Sequence, residues 1–304
     1  ASAVTVVREA LEANVTTALR YAVANETELS FETSVAGGTL PYTVSYAITV
    51  AGTAVWQAAG YQAEIRYLPA DYGEYTLAMT VTDASGETVT AAATLPVAVN
   101  EVEQRSSWEA AFRSITLTED FAQDILTIAA TQDGYQESAR NFIIDENGVR
   151  HGYTRYGDWC ADPYGDWSAM FVAFCASYAE IPEEDLPRAT DVGTLRNQLG
   201  GLYVSAGGDY VPAPGDYVFL HFDTGEPADR VGIVTDVDEV SGGYRIRTLE
   251  GDYDGAVQEG RYLLTDDCVT GFMSMARVMQ RAGKTQPTQE PTATPTQEPT
   301  QEPT

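Results

Sequence analysis

From Leu29 to Val99 apolar side chains recur at every second position, and that period commits this stretch to strands with one buried face. Tyr42, Val44, Tyr46, Ile48 and Val50 form one such face, and Tyr75, Leu77, Met79 and Val81 form another. Gly37-Gly38 and Asp83-Ala84-Ser85-Gly86 supply turns between strands. The expected result is an all-β sandwich over residues 1–100. Residues 1–28 are open to three readings: an opening strand, a helix, or the end of a preceding module.

A polar connection over residues 101–107 leads into a different texture. Phe121, Ile125, Ile128 and Ala129 recur at helical spacing, with Thr118-Glu119-Asp120 as a cap with first-turn acids and Gly134 as the stop. An aromatic, glycine-rich loop, a second helix expected to be amphipathic with Met170, Phe171, Phe174 and Tyr178 inward, and a run of strands follow. Helix first and antiparallel sheet after is an α+β order, expected over residues 108–282. A chain of 304 residues suits two such domains, each with its own core. Residues 283–304 repeat Thr, Gln, Glu and Pro without an aromatic, so they are expected to be a disordered, solvated linker. Such a linker predicts further modules C-terminal to it. With no initiator Met and no signal peptide, the chain is expected to be processed or excised from something longer.

Seventeen basic against 45 acidic side chains give a net charge of −28, which excludes a phosphate-tracking nucleic-acid binder. No apolar run reaches the roughly 20 residues of a membrane helix, so no membrane insertion is expected. Cys160, Cys175 and Cys268 are odd in number and lack Cys-x-x-Cys spacing. Neither a disulfide framework nor a zinc site is expected from them, and no other metal or cofactor is called for.

Two resemblances add to this reading. Asp71-x-Gly73-x-Tyr75 looks like the corner before a late strand in immunoglobulin-like sandwiches, and without disulfide cysteines the first domain resembles bacterial immunoglobulin-like or PKD-type spacers. The tail is similar to the spacers of Gram-positive surface proteins. Further on stand Tyr164-Gly165-Asp166-Trp167-Ser168, the helix-like Ala169 to Cys175, Pro214-Gly215-Asp216-Tyr217-Val218-Phe219, Asp229-Arg230-Val231-Gly232-Ile233-Val234 and Leu249-Glu250-Gly251-Asp252. Over about residues 120–278 these blocks resemble the CHAP family of cysteine/histidine amidohydrolases that cut peptidoglycan. The resemblance implies a papain-like fold.

Carried over by position, the family's nucleophile falls on Ser168, its base on Arg230 and its orienting acid on Glu250, with Asp252 close by. A serine depends on a general base, and a guanidinium cannot serve as one. The resemblance therefore implies a dyad that has been lost, with Ser168 capping a helix and Arg230 paired with Glu250 or Asp252. In the alternative reading the chain is an active peptidoglycan amidase or endopeptidase, using Ser168 with His221 as base if the hairpin sets residue 221 opposite Arg230. Cys160 is a weaker nucleophile candidate, Cys175 reads as a buried thiol, and His151 reads as surface.

Among the loop aromatics Tyr153, Tyr156, Trp159, Tyr164 and Trp167, half are expected in the core. The others would line a groove for a peptide or sugar, and Tyr156, Trp159, Tyr164, Trp167 and Asp252 are the candidate cleft residues. The acidic turns Asp145-Glu146-Asn147-Gly148 and Asp223 to Asp229 invite comparison with calcium loops, but neither has the Asp-x-Asp-x-Asp-Gly spacing. The expectation is thus an exported, extracellular bacterial cell-surface protein whose second domain is a binding, adhesion or scaffold module. Its partner would be a cell-wall peptide or glycan, or a host or surface ligand.

Overall fold

The alternating segment forms eight strands: β1 (Glu12–Thr16), β2 (Ala22–Val23), β3 (Leu29–Ala36), β4 (Thr43–Val50), β5 (Thr53–Ala59), β6 (Glu64–Tyr67), β7 (Gly73–Thr82) and β8 (Thr88–Ala98). The structure is a computed structural model and describes residues 9–222 and 229–284. The expected disordered tail beyond residue 284 lies outside the described residues.

These strands make a three-stranded sheet, β1-β3-β6, and a five-stranded sheet, β2-β8-β7-β4-β5. One core joins them: Leu29, Phe31, Ile48, Ile65, Leu77, Met79 and Val81 are all buried, and Val50 and Trp56 pack against them. Tyr75 donates its hydroxyl to the Asp71 carbonyl at 2.9 Å, a tyrosine corner that ties the strand entrance to the loop before it. At Gly38 (φ +65°) an added Cβ would meet Leu11 Cδ1 at 2.8 Å, so the first predicted turn needs its glycine. In the second turn, burial works to raise the Asp83 pKa. The Ser85 hydroxyl and the Thr39, Glu87 and Ser85 amides outweigh it and hold the carboxyl down at about 2.

The remaining elements are helices α1 (Arg105–Arg113) and α2 (Phe121–Ala130), strands β9 (Phe142–Ile144) and β10 (Arg150–Gly152), and helices α3 (Arg155–Trp159), α4 (Ser168–Tyr178) and α5 (Val192–Leu199). Strands β11 (Tyr203–Ser205), β12 (Tyr217–Leu220), β13 (Arg230–Val240), β14 (Gly243–Tyr253), β15 (Ala256–Leu263) and β16 (Val269–Met273) lead to helix α6 (Met275–Arg281). Asp120 caps α2 by accepting from the Ala122 and Gln123 amides, but the helix ends at Thr131, before Gly134.

The expected order, an immunoglobulin-like sandwich followed by an α+β papain-like domain, is not what the chain adopts. The described residues are 39% strand and 20% helix, and no clear papain-like second domain emerges. The chain divides instead into two compact units. The first takes in the sandwich together with residues 135–167 and 254–256. Side chains and backbone lace the loop to the sandwich's exit. The Val99 amide donates to the Arg140 carbonyl, Asn141 Nδ2 to the Glu101 carbonyl, and Arg155 pairs with Glu103. Such bonds are long-range and leave no periodic signal in the sequence.

The described residues of the second unit are 111–134, 168–222, 229–253 and 257–284. Its frame is an antiparallel six-stranded sheet, β11-β16-β12-β13-β14-β15, against which α4 packs. Expected to be amphipathic, α4 is instead apolar all round, and every residue from Ser168 to Ala176 is buried.

Candidate functional site

The positions that resemble a catalytic dyad lie in the second unit, on its sheet and on α4. Strand β13 pairs with β14 so that Gly232 faces Glu250, and Arg230 opens β13 two residues earlier. Period two therefore puts Arg230 on the face that carries Glu250. The ion pair expected from the sequence is present, with Arg230 Nη1 3.6 Å from Glu250 Oε2.

The Glu250 side chain is fully buried, and its carboxylate is held from several sides. Thr248 Oγ1 donates to Oε1, and the Tyr262 hydroxyl donates to Oε2 at 3.2 Å. Two glycines make the room. A Cβ on Gly232 would stand 2.6 Å from Glu250 Cγ, and one on Gly260 of β15 would collide with Oε1. Burial raises the Glu250 pKa; the bonds from Thr248 and Tyr262 and the charge of Arg230 pull it back only in part.

Above the carboxylate, the Arg230 guanidinium sits between two rings, 4.9 Å from the centroid of Phe222 and 4.8 Å from that of Tyr253. Phe222 is 52% exposed, so the clamp is open on one side. Sequence reasoning missed Phe222, Tyr253, Thr248 and Tyr262. The Thr248-x-Glu250 and Arg230-x-Gly232 spacings were the available signals. Asp252 follows Glu250 by two residues but has a left-handed backbone (φ +59°), and the carboxylate that faces Arg230 is Glu250.

Ser168 is the first residue of α4 rather than its cap, and it is buried. His221 does not face Arg230, because Leu220 is the residue that pairs with it. That one-residue slip turns the imidazole to the other side. There its Nδ1 stands 3.8 Å from Asp229 Oδ2, while its backbone amide donates to the Cys268 carbonyl.

No thiol is primed for attack. Burial pushes the Cys160 thiol up to about 11, helped by the charge of Asp162, and burial also raises Cys175 and Cys268. Asp145 accepts from the Asn147 and Val149 amides and lies 3.5 Å from His151 Nε2, so its turn is closed by the chain itself. The turn that begins at Asp223 lies outside the described residues. Among the described residues no group of three or more His, Cys, Asp or Glu side chains is placed to hold a metal.

The aromatic loop belongs to the first unit. Tyr156 and Trp167, expected to line a groove, are buried and stack at 5.1 Å with 15° between their planes. Tyr135 meets both edge-on, and Tyr153 is buried as well. Thr154 caps α3 through the Gly157 amide, which turns Tyr156 inward. Trp159 and Tyr164 are half-buried, with the Tyr164 hydroxyl donating to Asn141 Oδ1 at 2.8 Å.

No protein-family model matches the chain. No curated protein matches it either. Among solved structures it is similar to the CARDB domain of a Pyrococcus furiosus protein crystallised with di-metal ions, at 18% identity and a TM-score of 0.23, over 32% of this chain and 94% of that one. A carbohydrate-binding module of the β-sandwich superfamily is 13% identical with a TM-score of 0.27, over 88% of this chain and 90% of that one. A Bacteroides ovatus protein from a mixed-linkage glucan utilisation locus, solved with a heptasaccharide, is 13% identical with a TM-score of 0.22, over 84% and 43%. At these scores the likenesses set neither the fold nor the function of this chain. No helix among the described residues is long and apolar enough to cross a membrane.

Proposed function

We propose that the chain is a non-catalytic scaffold module of an exported bacterial cell-surface protein, which keeps blocks resembling a peptidoglycan hydrolase without its dyad. One observation carries this reading: where the resemblance calls for a general base, Arg230 stands clamped between Phe222 and Tyr253 against the buried Glu250. A guanidinium keeps its proton at any working pH, and Glu250 already accepts from Thr248 and Tyr262. Ser168 therefore has no base in this constellation. The alternative, Ser168 served by His221, draws no support from a register that aims His221 at Asp229.

A scaffold also suits the aromatic loop. With Tyr156 and Trp167 in the core, a cell-wall glycan or peptide would find Trp159 and Tyr164 there.

The test is release of soluble fragments from purified peptidoglycan. The wild type is expected to release none and to behave like its own Ser168→Ala variant. Release by the wild type that Ser168→Ala abolishes would overturn the proposal and return His221 to the front.

A further inference from the structure

Sheet edges are the places where one chain can add a strand to another, and most edges in this molecule are blunted against it. In the first unit β2 is two residues long, β1 carries Glu12, and β6 carries Glu64 and Arg66. In the six-stranded sheet β11 has three residues, and β15 carries Glu259 and Arg261. Among the described residues the long exception is β5, the outer strand of the five-stranded sheet. Its sequence, Thr-Ala-Val-Trp-Gln-Ala-Ala, has no charge and no proline over seven residues.

Packing holds β5 in strand geometry. Trp56 and Ala58 turn in against the sandwich core, while Thr53, Val55, Gln57 and Ala59 turn out, with Val55 43% exposed. Among the described residues nothing pairs with its outer edge. Residues 33–63, which include β4 and β5, contain no Asp, Glu, Lys or Arg in a chain that is 20% charged. On the same outward face lies a hollow of about 440 Å³, lined in part by Ser45, Ala47, Gln57 and Ala59.

We infer that β5 is a self-association edge, on which a second copy of this chain pairs its own β5 antiparallel about a two-fold axis. This goes beyond the scaffold reading and does not depend on it. Antiparallel pairing of a strand with its own copy is isologous, so one uncharged edge supplies both halves.

The charge of the chain argues for this edge. Two copies at −28 repel unless their nearest charges are farther apart than the screening length, about 8 Å at physiological salt. With strands about 4.8 Å apart, a β5–β5 seam is flanked on each side by the uncharged β4. The first charged side chain on the sheet, Glu74 of β7, is then about 12 Å from the seam.

The test is sedimentation equilibrium of the full chain from micromolar to millimolar concentration, joined to amide exchange over residues 53–59. A concentration-dependent dimer is expected, tightened by added salt, with the β5 amides gaining protection as it forms. Val55→Lys sets like charges across the seam and is expected to weaken the dimer at least tenfold; Gln57→Lys repeats the test from a second outward position. Val149→Lys, at another exposed valine, is expected to leave the dimer unchanged. A chain that stays monomeric throughout overturns the inference, as does a dimer that both β5 variants leave intact. A monomer whose β5 gains protection only from an added uncharged peptide overturns it too, and assigns the edge to another partner.

Discussion

The sandwich and the six-stranded sheet each close over a carboxylate, and the two are held in opposite ways. Asp83 sits in a turn whose backbone amides and a serine hydroxyl converge on it, and its pKa falls to about 2. Glu250 lies under two rings and an arginine, in a space left by Gly232 and Gly260, and burial drives its pKa up. The turn favours a charge because its own amides and hydroxyl, joined by the Thr39 amide, all donate to it. The sheet tolerates one through the Thr248 and Tyr262 hydroxyls and the charge of Arg230, which together offset its burial only in part. An anion met by enough donors stabilises the fold that provides them, whereas an anion stripped of water leans on every partner it keeps, the counter-charge among them.

Removing the buried carboxylate is therefore expected to do the most damage. Glu250→Ala leaves the guanidinium between Phe222 and Tyr253 with no opposing charge and opens a void beneath it, a loss of about 3 kcal/mol in denaturant unfolding. Asp83→Ala is expected to cost less, because it strands no buried charge and residues 84–88, which follow Asp83, are exposed, so water can reach the Ser85 and Glu87 amides it leaves unpaired. A Glu250→Ala loss no larger than that of Asp83→Ala would break the comparison.

Next in size is Arg230→Met, which keeps bulk between the rings and removes the charge. Glu250 can answer by holding a proton, so the expected loss is about 1 kcal/mol, larger at pH 8 than at pH 5. An equal loss at both values would mean that Glu250 does not respond to Arg230.

How much of this could be read from the sequence follows from the range of the forces. The sandwich was legible because period two with one buried face is local, and Tyr75 and Asp71 lie close enough along the chain to announce their corner. The resemblance to the CHAP family named Glu250 or Asp252 as the partner of Arg230, and the strand register selects Glu250. The condition that would set His221 opposite Arg230 is not met, because a hairpin's register depends on its turn, and one residue decides the face. Phe222 and Tyr253 lie at strand ends, where alternation gives no direction. The aromatic loop was assigned to the wrong neighbours because Arg140, Asn141 and Arg155 bind segments some forty to seventy residues away. The amphipathic reading of α4 failed because a helix that is apolar all round offers no preferred face.

The smallest effect, and the sharpest on the comparison, is the pH dependence of stability. A carboxyl whose folded pKa is raised binds its proton more tightly in the folded state. Glu250 thus adds stability as pH falls from neutral toward its ordinary value near 4.5, and its contribution levels off below that. Asp83 works in the other direction: its contribution is complete above its ordinary value near 3.8 and is lost as pH falls toward about 2. Asp216, also raised by burial, adds to the first trend in every variant and cancels in differences. The measurement is the unfolding free energy of the wild type minus that of Glu250→Gln, and likewise minus that of Asp83→Asn, followed from pH 8 to pH 2. The first difference is expected to grow on acidification down to about 4.5 and then hold level. The second is expected to stay flat to about 4 and then shrink. If the two differences run in parallel, burial and hydrogen bonding do not separate these carboxylates, and the contrast between turn and sheet fails.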